Sequence, residues 1–281
     1  TRPLPQYYPF SEGSALYENS AGLFVGITMS STKFFTNSIM VTDAIWVEIN
    51  SDVNIDLVLV GEWTNPIILI QGENKNFEKI ENSTLGLDQL SGWWFSVAKS
   101  DIDNDGHDDL IVGNLGENYN YQSSQDRPFK IFSKDFNQSG NMDIVVSYLQ
   151  KGTYYPVRGK ECSAQQLPEL KSKFSNYNSF AETKGISIYD NLGLSVATEL
   201  RVSTLSSYVL MNKSDGFKKF ELPRDTQLSS INYILLEDFD RDVNNELLLA
   251  GNLFTSEVET TRNEPSYGCL VGFTGKMKGK L

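Results

Sequence analysis

The sequence has 281 residues, of which 40% are hydrophobic and 21% are charged, a composition typical of a folded globular chain. No apolar run approaches the ~20 residues that a membrane-spanning helix requires, which argues against a membrane span. The net charge of -12 argues against nucleic acid as a partner, because binding phosphates calls for a basic face. Cys162 and Cys269 show no metal-ligand spacing, and their pairing stays open, with two thiols slightly favoured.

Short strand signals dominate the chain. Apolar or aromatic runs alternate with turns rich in Gly, Asn and Asp. A hairpin is predicted over 16–24, and strands are predicted at 45–49, 57–61, 66–70, 93–98, 129–133, 143–149, 207–211, 231–236 and 246–251. This pattern is typical of an all-β sandwich, barrel or propeller. Because a fixed unit with its own hairpin recurs, we predict a β-propeller, with about five blades in this chain.

Four acidic loops interrupt these strands, at residues 48–56, 101–109, 135–143 and 238–246, and we name them loop 48, loop 101, loop 135 and loop 238. Each loop places side-chain oxygens at its first, third, fifth and ninth positions, and its seventh residue can offer a backbone carbonyl. The candidate metal ligands are Glu48, Asn50, Asp52, Asn54 and Asp56; Asp101, Asp103, Asp105, His107 and Asp109; Asp135, Asn137, Ser139, Asn141 and Asp143; and Asp238, Asp240, Asp242, Asn244 and Glu246.

Loop 101 carries the strongest metal-binding signal. Its crowded carboxylates repel one another unless a cation lies between them, and Gly106 permits a sharp bend. Calcium fits best, because it accepts about six to eight oxygens at flexible geometry, whereas magnesium demands a tighter octahedron. The loop is not an EF-hand, since Val112 stands at the twelfth position, where that motif needs a glutamate. The alternative is an acidic turn that binds no ion.

The other three loops depart from this pattern. Loop 135 keeps a glycine at its sixth position, Gly140, but has fewer carboxylates. Val53 and Val243 replace that glycine in loops 48 and 238, which is expected to strain the bend and to weaken or abolish the site. Loop 135 follows loop 101 too closely for a uniform repeat. The long gap before loop 238 predicts two units, with the loop between them lost.

Residues 163–200 break the strand pattern. Apolar residues recur there every three or four positions, which predicts helical structure with one apolar face. These residues are Leu167, Leu170, Phe174, Tyr177 and Ala181. We interpret the segment as a short helical insert between blades whose apolar face packs against the fold. The alternative is a face that binds a partner.

Two further sets of residues indicate binding or catalysis. Surface aromatic side chains are candidates for contact with a protein or glycan, with packing as the alternative for each. They are Trp63, Trp94, Tyr119, Tyr121, Tyr154 and Tyr155. The candidate acid–base carboxylates of a glycosidase or lyase are Glu62, Glu117 and Asp126. His107 is the only histidine and lies in loop 101, which argues against a Ser–His–Asp triad, and we predict that the chain is not an enzyme.

The acidic loops, the strands after them and the Asn–Gly–Phe hairpins at 16–24, 69–77 and 209–217 resemble the FG-GAP or VCBS-type repeats of integrin-alpha-like β-propellers. The resemblance covers most of residues 14–255. Further motifs resemble a group of long secreted bacterial proteins that carry these repeats, akin to the cartilage acidic protein repeats. These motifs are Gly92-Trp93-Trp94, Gly113-Asn114-Leu115-Gly116-Glu117-Asn118, Leu222-Pro223 with Gln227, and Ala250-Gly251-Asn252.

The resemblance implies a single propeller domain over residues 1–281 that binds Ca2+ and is secreted or lies at the cell surface, with the bacterial outer surface expected. The implied function is adhesion or binding to a protein or glycan, without catalysis. The alternatives are a propeller-type polysaccharide lyase or glycosidase and a structural subunit of a surface assembly. The chain has too few residues for seven full blades, so a partial propeller or a fragment of a longer one stays open.

Overall fold

The structure is a computed structural model that describes residues 7–11, 13–26, 40–72, 76–253 and 268–272. Within these ranges the strands form five antiparallel sheets, and the helices are short. The prediction of an all-β, propeller-like fold is therefore confirmed. In the part of the chain that the structure describes, every helix is too short or too polar to cross a membrane.

The N-terminal part forms a hairpin and then the first sheet. The hairpin pairs β1 (Tyr17–Ser20) with β2 (Leu23–Gly26). The first sheet has the order β3 (Met40–Val47), β4 (Asp56–Thr64), β5 (Ile67–Gln71) and β6 (Phe77–Lys79), with β7 (Gly92–Trp93) paired to the C-terminal end of β4. Most residues of β4 and β5 are buried and apolar, as expected for strands that are covered on both faces.

The second sheet is interrupted in sequence. Its order is β15 (Gly216–Glu221), β14 (Tyr208–Lys213), β9 (Asp109–Gly113) and β8 (Ser96–Ser100). Leu210 of β14 pairs with Leu110 of β9, although residues 114–207 separate the two strands in the chain. The prediction of a lost loop between loop 135 and loop 238 is therefore wrong, because β14 and β15 complete the sheet that contains loop 101.

A buried asparagine joins the two ends of this interruption. Asn114 follows β9, and its side-chain amide donates to the carbonyl oxygens of Thr204 and Ser206 at 3.1 and 3.0 Å, just before β14 begins. Its amide oxygen accepts from the N–H groups of Trp93 and Leu115 at 3.1 and 2.8 Å. All hydrogen-bonding positions of this amide are used, so the asparagine of the Gly-Asn-Leu-Gly motif has a structural role.

The interrupting segment builds the third sheet and the helices. The sheet has the order β12 (Thr153–Pro156), β11 (Asp143–Gln150), β10 (Phe129–Lys134) and β13 (Thr198–Val202). Between β12 and β13 lie α1 (Lys160–Gln166), α2 (Glu169–Lys173), α3 (Tyr177–Ala181) and 3-10 turns at Gly185–Leu192 and Leu194–Val196. The predicted insert at 163–200 is thus shifted toward the N-terminus and lies within one sheet, not between blades.

The predicted apolar stripe is divided among these helices. Leu167, Leu170 and Phe174 are buried in one cluster with Phe132 of β10, which is a packing role. Tyr177, by contrast, is exposed. The prediction of one continuous apolar face is therefore wrong, although Leu167, Leu170 and Phe174 do pack against the third sheet.

The fourth sheet has the order β16 (Tyr233–Glu237), β17 (Glu246–Ala250) and β18 (Cys269–Val271). The first, second and fourth sheets pack face to face in series. Val58 of the first sheet and Leu110 of the second share one buried cluster, whereas Ile111, on the opposite face of β9, shares another with Leu247 of the fourth sheet. Each sheet thus packs on its neighbours through alternate residues of its central strand, as in a propeller.

One face of the fourth sheet remains exposed. Leu235 pairs with Leu248, and Leu248 pairs with Leu270, so that the three side chains form one row across the strands. They are 52%, 38% and 57% exposed, respectively. In the series of sheets, Leu248 corresponds to Ile111, which the fourth sheet covers. We name Leu235, Leu248 and Leu270 the open face.

The two neighbouring leucines of β17 provide a test of this register. Leu247→Ala should lower the free energy of unfolding by about 2–5 kcal/mol, because Leu247 is fully buried and its truncation leaves a cavity. Leu248→Ala should cost less than about 1 kcal/mol, because its side chain lies on the open face. Chemical denaturation measures both changes. The reverse order would show that β17 is shifted by one residue.

Candidate metal centres

Each acidic loop joins two paired strands of one sheet in the same register. The residue before the loop pairs with the ninth residue of the loop. The pairs are Val47 with Asp56, Ser100 with Asp109, Lys134 with Asp143, and Glu237 with Glu246. The ninth residue begins a central strand of its sheet in each case, so the strand predicted after each loop is present.

The four loops also share one backbone conformation. Their fourth and sixth residues have positive φ, in the left-handed region that β-branched residues rarely adopt. These residues are Ser51 and Val53 (62° and 72°), Asn104 and Gly106 (58° and 89°), Gln138 and Gly140 (57° and 86°), and Arg241 and Val243 (66° and 80°). The two valines therefore adopt the conformation of the glycines they replace, with the predicted strain but with the loop shape retained.

Backbone N–H groups orient the first and ninth side chains. The N–H of the second residue donates to the ninth carboxylate over 2.9–3.0 Å, in the pairs Ile49–Asp56, Ile102–Asp109, Phe136–Asp143 and Phe239–Glu246. The N–H of the fifth residue donates to the first carboxylate over 2.9–3.2 Å, in the pairs Asp52–Glu48, Asp105–Asp101, Ser139–Asp135 and Asp242–Asp238. Two of the four predicted side-chain ligands are thus held in the same way in every loop.

Two loops bring three carboxylates together. Ligand oxygens of Asp101, Asp103 and Asp109 lie within 4.8 Å of one another, as do those of Asp238, Asp240 and Glu246. These are the first, third and ninth positions of loops 101 and 238. In loops 48 and 135 the third position is an asparagine, whose amide oxygen is also a calcium ligand. The donors in all four loops are hard oxygens, which fit calcium and do not fit a soft metal.

The ninth carboxylates are buried at the start of their strands. Burial raises the pKa of Asp56, Asp109 and Asp143. A neighbouring carboxylate adds to this rise in pKa, for example Asp103 beside Asp109. A divalent ion in the loop would oppose both effects, because it stabilises the charged form of each carboxylate.

Two consecutive residues of β14 contact loop 101 from another part of the chain. The backbone N–H of Asn212 donates to Asp109 at 2.8 Å, and the Lys213 ammonium donates to the carboxylates of Asp103 and Asp105. Although burial opposes the change, these two hydrogen bonds raise the pKa of Lys213. The sequence places both residues in a recurring hairpin, at 209–217, but gives no sign that this hairpin contacts a loop about a hundred positions earlier.

Loops 48 and 101 lie side by side. The side-chain amide of Asn212 donates to the carbonyl oxygen of Ile49 at 3.0 Å, so one residue contacts both loops. The hydroxyl oxygen of Ser51 lies 3.4 Å from Nδ1 of His107. The imidazole of His107 is therefore placed between two loops, while its carbonyl remains the group predicted to act as a ligand.

The predicted aromatic contacts are mostly packed into the fold. Trp63 and Trp94 are buried, so neither displays a ring to a ligand. Tyr119, Tyr121, Tyr154 and Tyr155 are partly buried. The ring of Tyr121 lies 4.7 Å from that of Tyr148 between centroids, within a larger aromatic cluster. For the two tryptophans the packing alternative was the correct one.

The strained valines give a test of the shared loop conformation. Val243→Gly should raise the free energy of unfolding by up to about 1 kcal/mol, because glycine adopts positive φ at little cost and Val243, 91% exposed, loses no packing. Val196→Gly is the matched control at an exposed site with ordinary φ, and it should be destabilising. A loss of stability in Val243→Gly, measured by denaturation, would contradict the conformation.

The buried carboxylates predict how stability depends on pH in a chelator. A carboxyl whose folded pKa is raised binds its proton more readily in the native state, so stability falls as pH rises above the ordinary value of 3.8. Asp52 and Asp105 are exposed and have lowered pKa values. Their contribution to the pH dependence of stability therefore falls below pH 3.8. With EDTA, the melting temperature should therefore be higher at about pH 5 than at pH 7. Saturating calcium should reduce or reverse that difference, and calorimetry at both pH values measures it.

The comparisons with known proteins agree with this geometry. A family model described as FG-GAP-like repeat matches residues 49–112, which include most of loop 48, all of loop 101 and the strands after both. Among curated proteins, none matches the sequence. The repeat resemblance noted from the motifs is thereby confirmed over this region. Residues 49–112 of the chain therefore form an FG-GAP-like repeat region.

Proposed function

We propose that the chain is an extracellular calcium-binding module that binds a protein partner without catalysis. The observation that carries the proposal is the repeated loop geometry. Four loops far apart in sequence share a strand register, two left-handed positions and the same hydrogen bonds to their first and ninth side chains. Acidic turns that only made the surface soluble would not need a common backbone conformation or common hydrogen bonds.

Calcium is the ion that suits these donors. The carboxylates, amide oxygens and hydroxyls of the loops are hard ligands in a flexible arrangement, which calcium tolerates better than magnesium. The overall charge supports the same conclusion, since the chain carries a net charge of -12 and the four loops hold more than a third of its acidic side chains. Bound divalent ions would offset much of that charge.

The ions would brace the ends of neighbouring strands. The ninth carboxylate begins a buried strand, and in loops 48 and 101 its second oxygen accepts an N–H from a third strand, Gln71 to Asp56 and Asn212 to Asp109. An ion bound by that carboxylate would therefore hold three segments of one sheet. Its role in this proposal is to stiffen the loops for recognition.

A protein, rather than a glycan, is the partner that we propose. Trp63 and Trp94 are buried and cannot stack on a sugar, although Trp46 and Tyr233 are exposed, whereas the open face presents three aliphatic side chains in a row. Inside the chain, the corresponding face of β9 is covered by another β-sheet. A partner with a flat apolar sheet surface fits the open face best. A role as a structural subunit of a surface assembly would use the same face.

Secretion or display at the bacterial cell surface is part of the proposal. It is supported by the FG-GAP-like repeat, a type of repeat that is typical of extracellular proteins. Calcium is also abundant outside cells, where weak loop sites of millimolar affinity can be filled.

One observation favours the enzyme alternative. Burial raises the pKa of Glu62, and its carboxylate accepts a hydrogen bond from the hydroxyl of Tyr8 at 2.7 Å. A carboxyl with a raised pKa is a feature of general acids in glycosidases. Hydrolysis or elimination on a polysaccharide panel, read by mass and lost in Glu62→Gln, would support a lyase or glycosidase and overturn the non-catalytic proposal.

Calcium removal tests the proposal directly. Adding calcium after EDTA should raise the melting temperature, because an ion that binds only the folded state stabilises it by about 2.7 kcal/mol per site at 100 times its Kd. Asp240→Ala removes the third ligand of loop 238 and should reduce the calcium-dependent rise, with little effect in EDTA. Differential scanning calorimetry measures both.

Asp126→Ala is the matched control, since Asp126 is an exposed carboxylate outside the four loops. It should leave the calcium-dependent rise unchanged. An unchanged melting temperature on adding calcium to the wild-type protein would contradict the proposal. An equal effect of the two substitutions would contradict the assignment of the ion to loop 238.

A further inference from the structure

Among the described residues, loop 101 is the acidic loop whose ligand oxygens are contacted by a lysine. The Lys213 ammonium donates to carboxylate oxygens of both Asp103 and Asp105, the third and fifth positions of the loop. Lys213 ends β14, and the strand end is held by two hydrogen bonds from Asn212, one to Asp109 and one to Ile49. The ammonium is therefore held beside the loop by the end of a strand that is itself hydrogen-bonded to the loops.

We propose that Lys213 is a built-in competitor of the divalent ion in loop 101, so that this loop binds calcium more weakly than its carboxylates alone would allow. The inference rests on the proposed calcium function. The ammonium and the ion need the same two side chains, and a positive charge within a few ångströms opposes the entry of another. Calcium entry therefore requires the Lys213 side chain to withdraw toward solvent.

Loop 48 has the same contact between a hairpin strand and its ninth carboxylate, but no lysine at the corresponding position. Its ninth residue, Asp56, accepts from the N–H of Gln71 at 2.8 Å, as Asp109 accepts from the N–H of Asn212. The residue after Gln71 is Gly72, which has no side chain to reach the loop. The lysine is thus an addition to loop 101 and not a requirement of the hairpin.

The consequence is a loop with two alternative counter-ions. At low calcium, Lys213 neutralises part of the crowded charge and keeps loop 101 ordered. At high calcium, the ion replaces the ammonium. Loop 101, which has the most carboxylates, would then be the site that responds to changes in calcium concentration, while loops without such a lysine would follow their ligand sets alone.

The chain supplies its own reporter and its own control. His107 is the only histidine, so a single set of imidazole signals reports on loop 101, and because the ring also lies 3.4 Å from Ser51, a second midpoint in the titration would mark loop 48. Lys99 also pairs with a carboxylate of this loop, but with Asp108 at 2.7 Å, which stands at the eighth position and is not a predicted ligand. Lys99→Met therefore makes the same change of charge beside the same loop without freeing a ligand oxygen.

The experiment is a calcium titration of the wild-type protein, Lys213→Met, Lys213→Gln and Lys99→Met, followed by the His107 imidazole signals. Both substitutions of Lys213 should lower the midpoint calcium concentration by about tenfold, the order expected for removing a unit charge next to the ion. Lys99→Met should change it by less than about threefold, because its partner Asp108 is not a predicted ligand and Lys99 therefore does not compete with the ion for a ligand oxygen. In EDTA, the Lys213 variants should also melt at a lower temperature than the wild type.

Three results would overturn the inference, and they are distinguishable. If the Lys213 and wild-type midpoints agree, the lysine does not compete, although the calcium function stands. If Lys99→Met and Lys213→Met shift the midpoint equally, the effect is one of overall charge. If calcium leaves the His107 signals unchanged in the wild type and in both Lys213 variants, loop 101 is not a calcium site, and the proposed function fails there with the inference.

Discussion

The hydrogen bond from the second N–H of each acidic loop to the ninth carboxylate is the interaction on which the remaining arrangement depends. It joins the first turn of the loop to the first residue of a buried strand, as from Ile49 to Asp56. A buried carboxylate needs hydrogen-bond partners, because an unpaired carboxylate destabilises the folded state far more when it is buried than when it is exposed. The loop shape, the strand register and the position of the ligands are therefore set together, and an ion adds to a frame that backbone groups already define.

The interrupted second sheet shows how a repeat of this kind accepts a large insertion. Residues 114–207 leave the sheet after β9 and return before β14, and Asn114 ties the two ends together through Thr204 and Ser206. The segment brings its own sheet and its own acidic loop, loop 135. Pairing between β9 and β14 is preserved, so that Asn212 and Lys213 still reach loop 101. The insertion thus changes the spacing of the loops in sequence without changing the geometry at any of them.

The features that sequence could predict are local ones. The turn within each loop and the strand that follows it lie within a dozen residues, and the structure has both where they were expected, while the ligand roles stay a prediction. Long-range contacts could not be predicted from local patterns. The pairing of Leu210 with Leu110 and the contact of Lys213 with loop 101 depend on strands a hundred residues apart. The apolar periodicity was also misleading. Leu167, Leu170 and Phe174 keep a helical spacing, but one helix ends and the next begins near Pro168, because proline limits helix continuation. The valines at positive φ show that a strong loop frame can hold a residue against its own preference.

Anomalous diffraction from crystals grown in calcium tests the central claim most directly. The account predicts a peak in loops 101 and 238 about 2.3–2.6 Å from oxygens of the first, third and ninth side chains, with the seventh carbonyl completing each site. It predicts further peaks in loops 48 and 135, where an asparagine supplies the third ligand. Crystals at saturating calcium with no anomalous peak in any of the four loops would contradict the account.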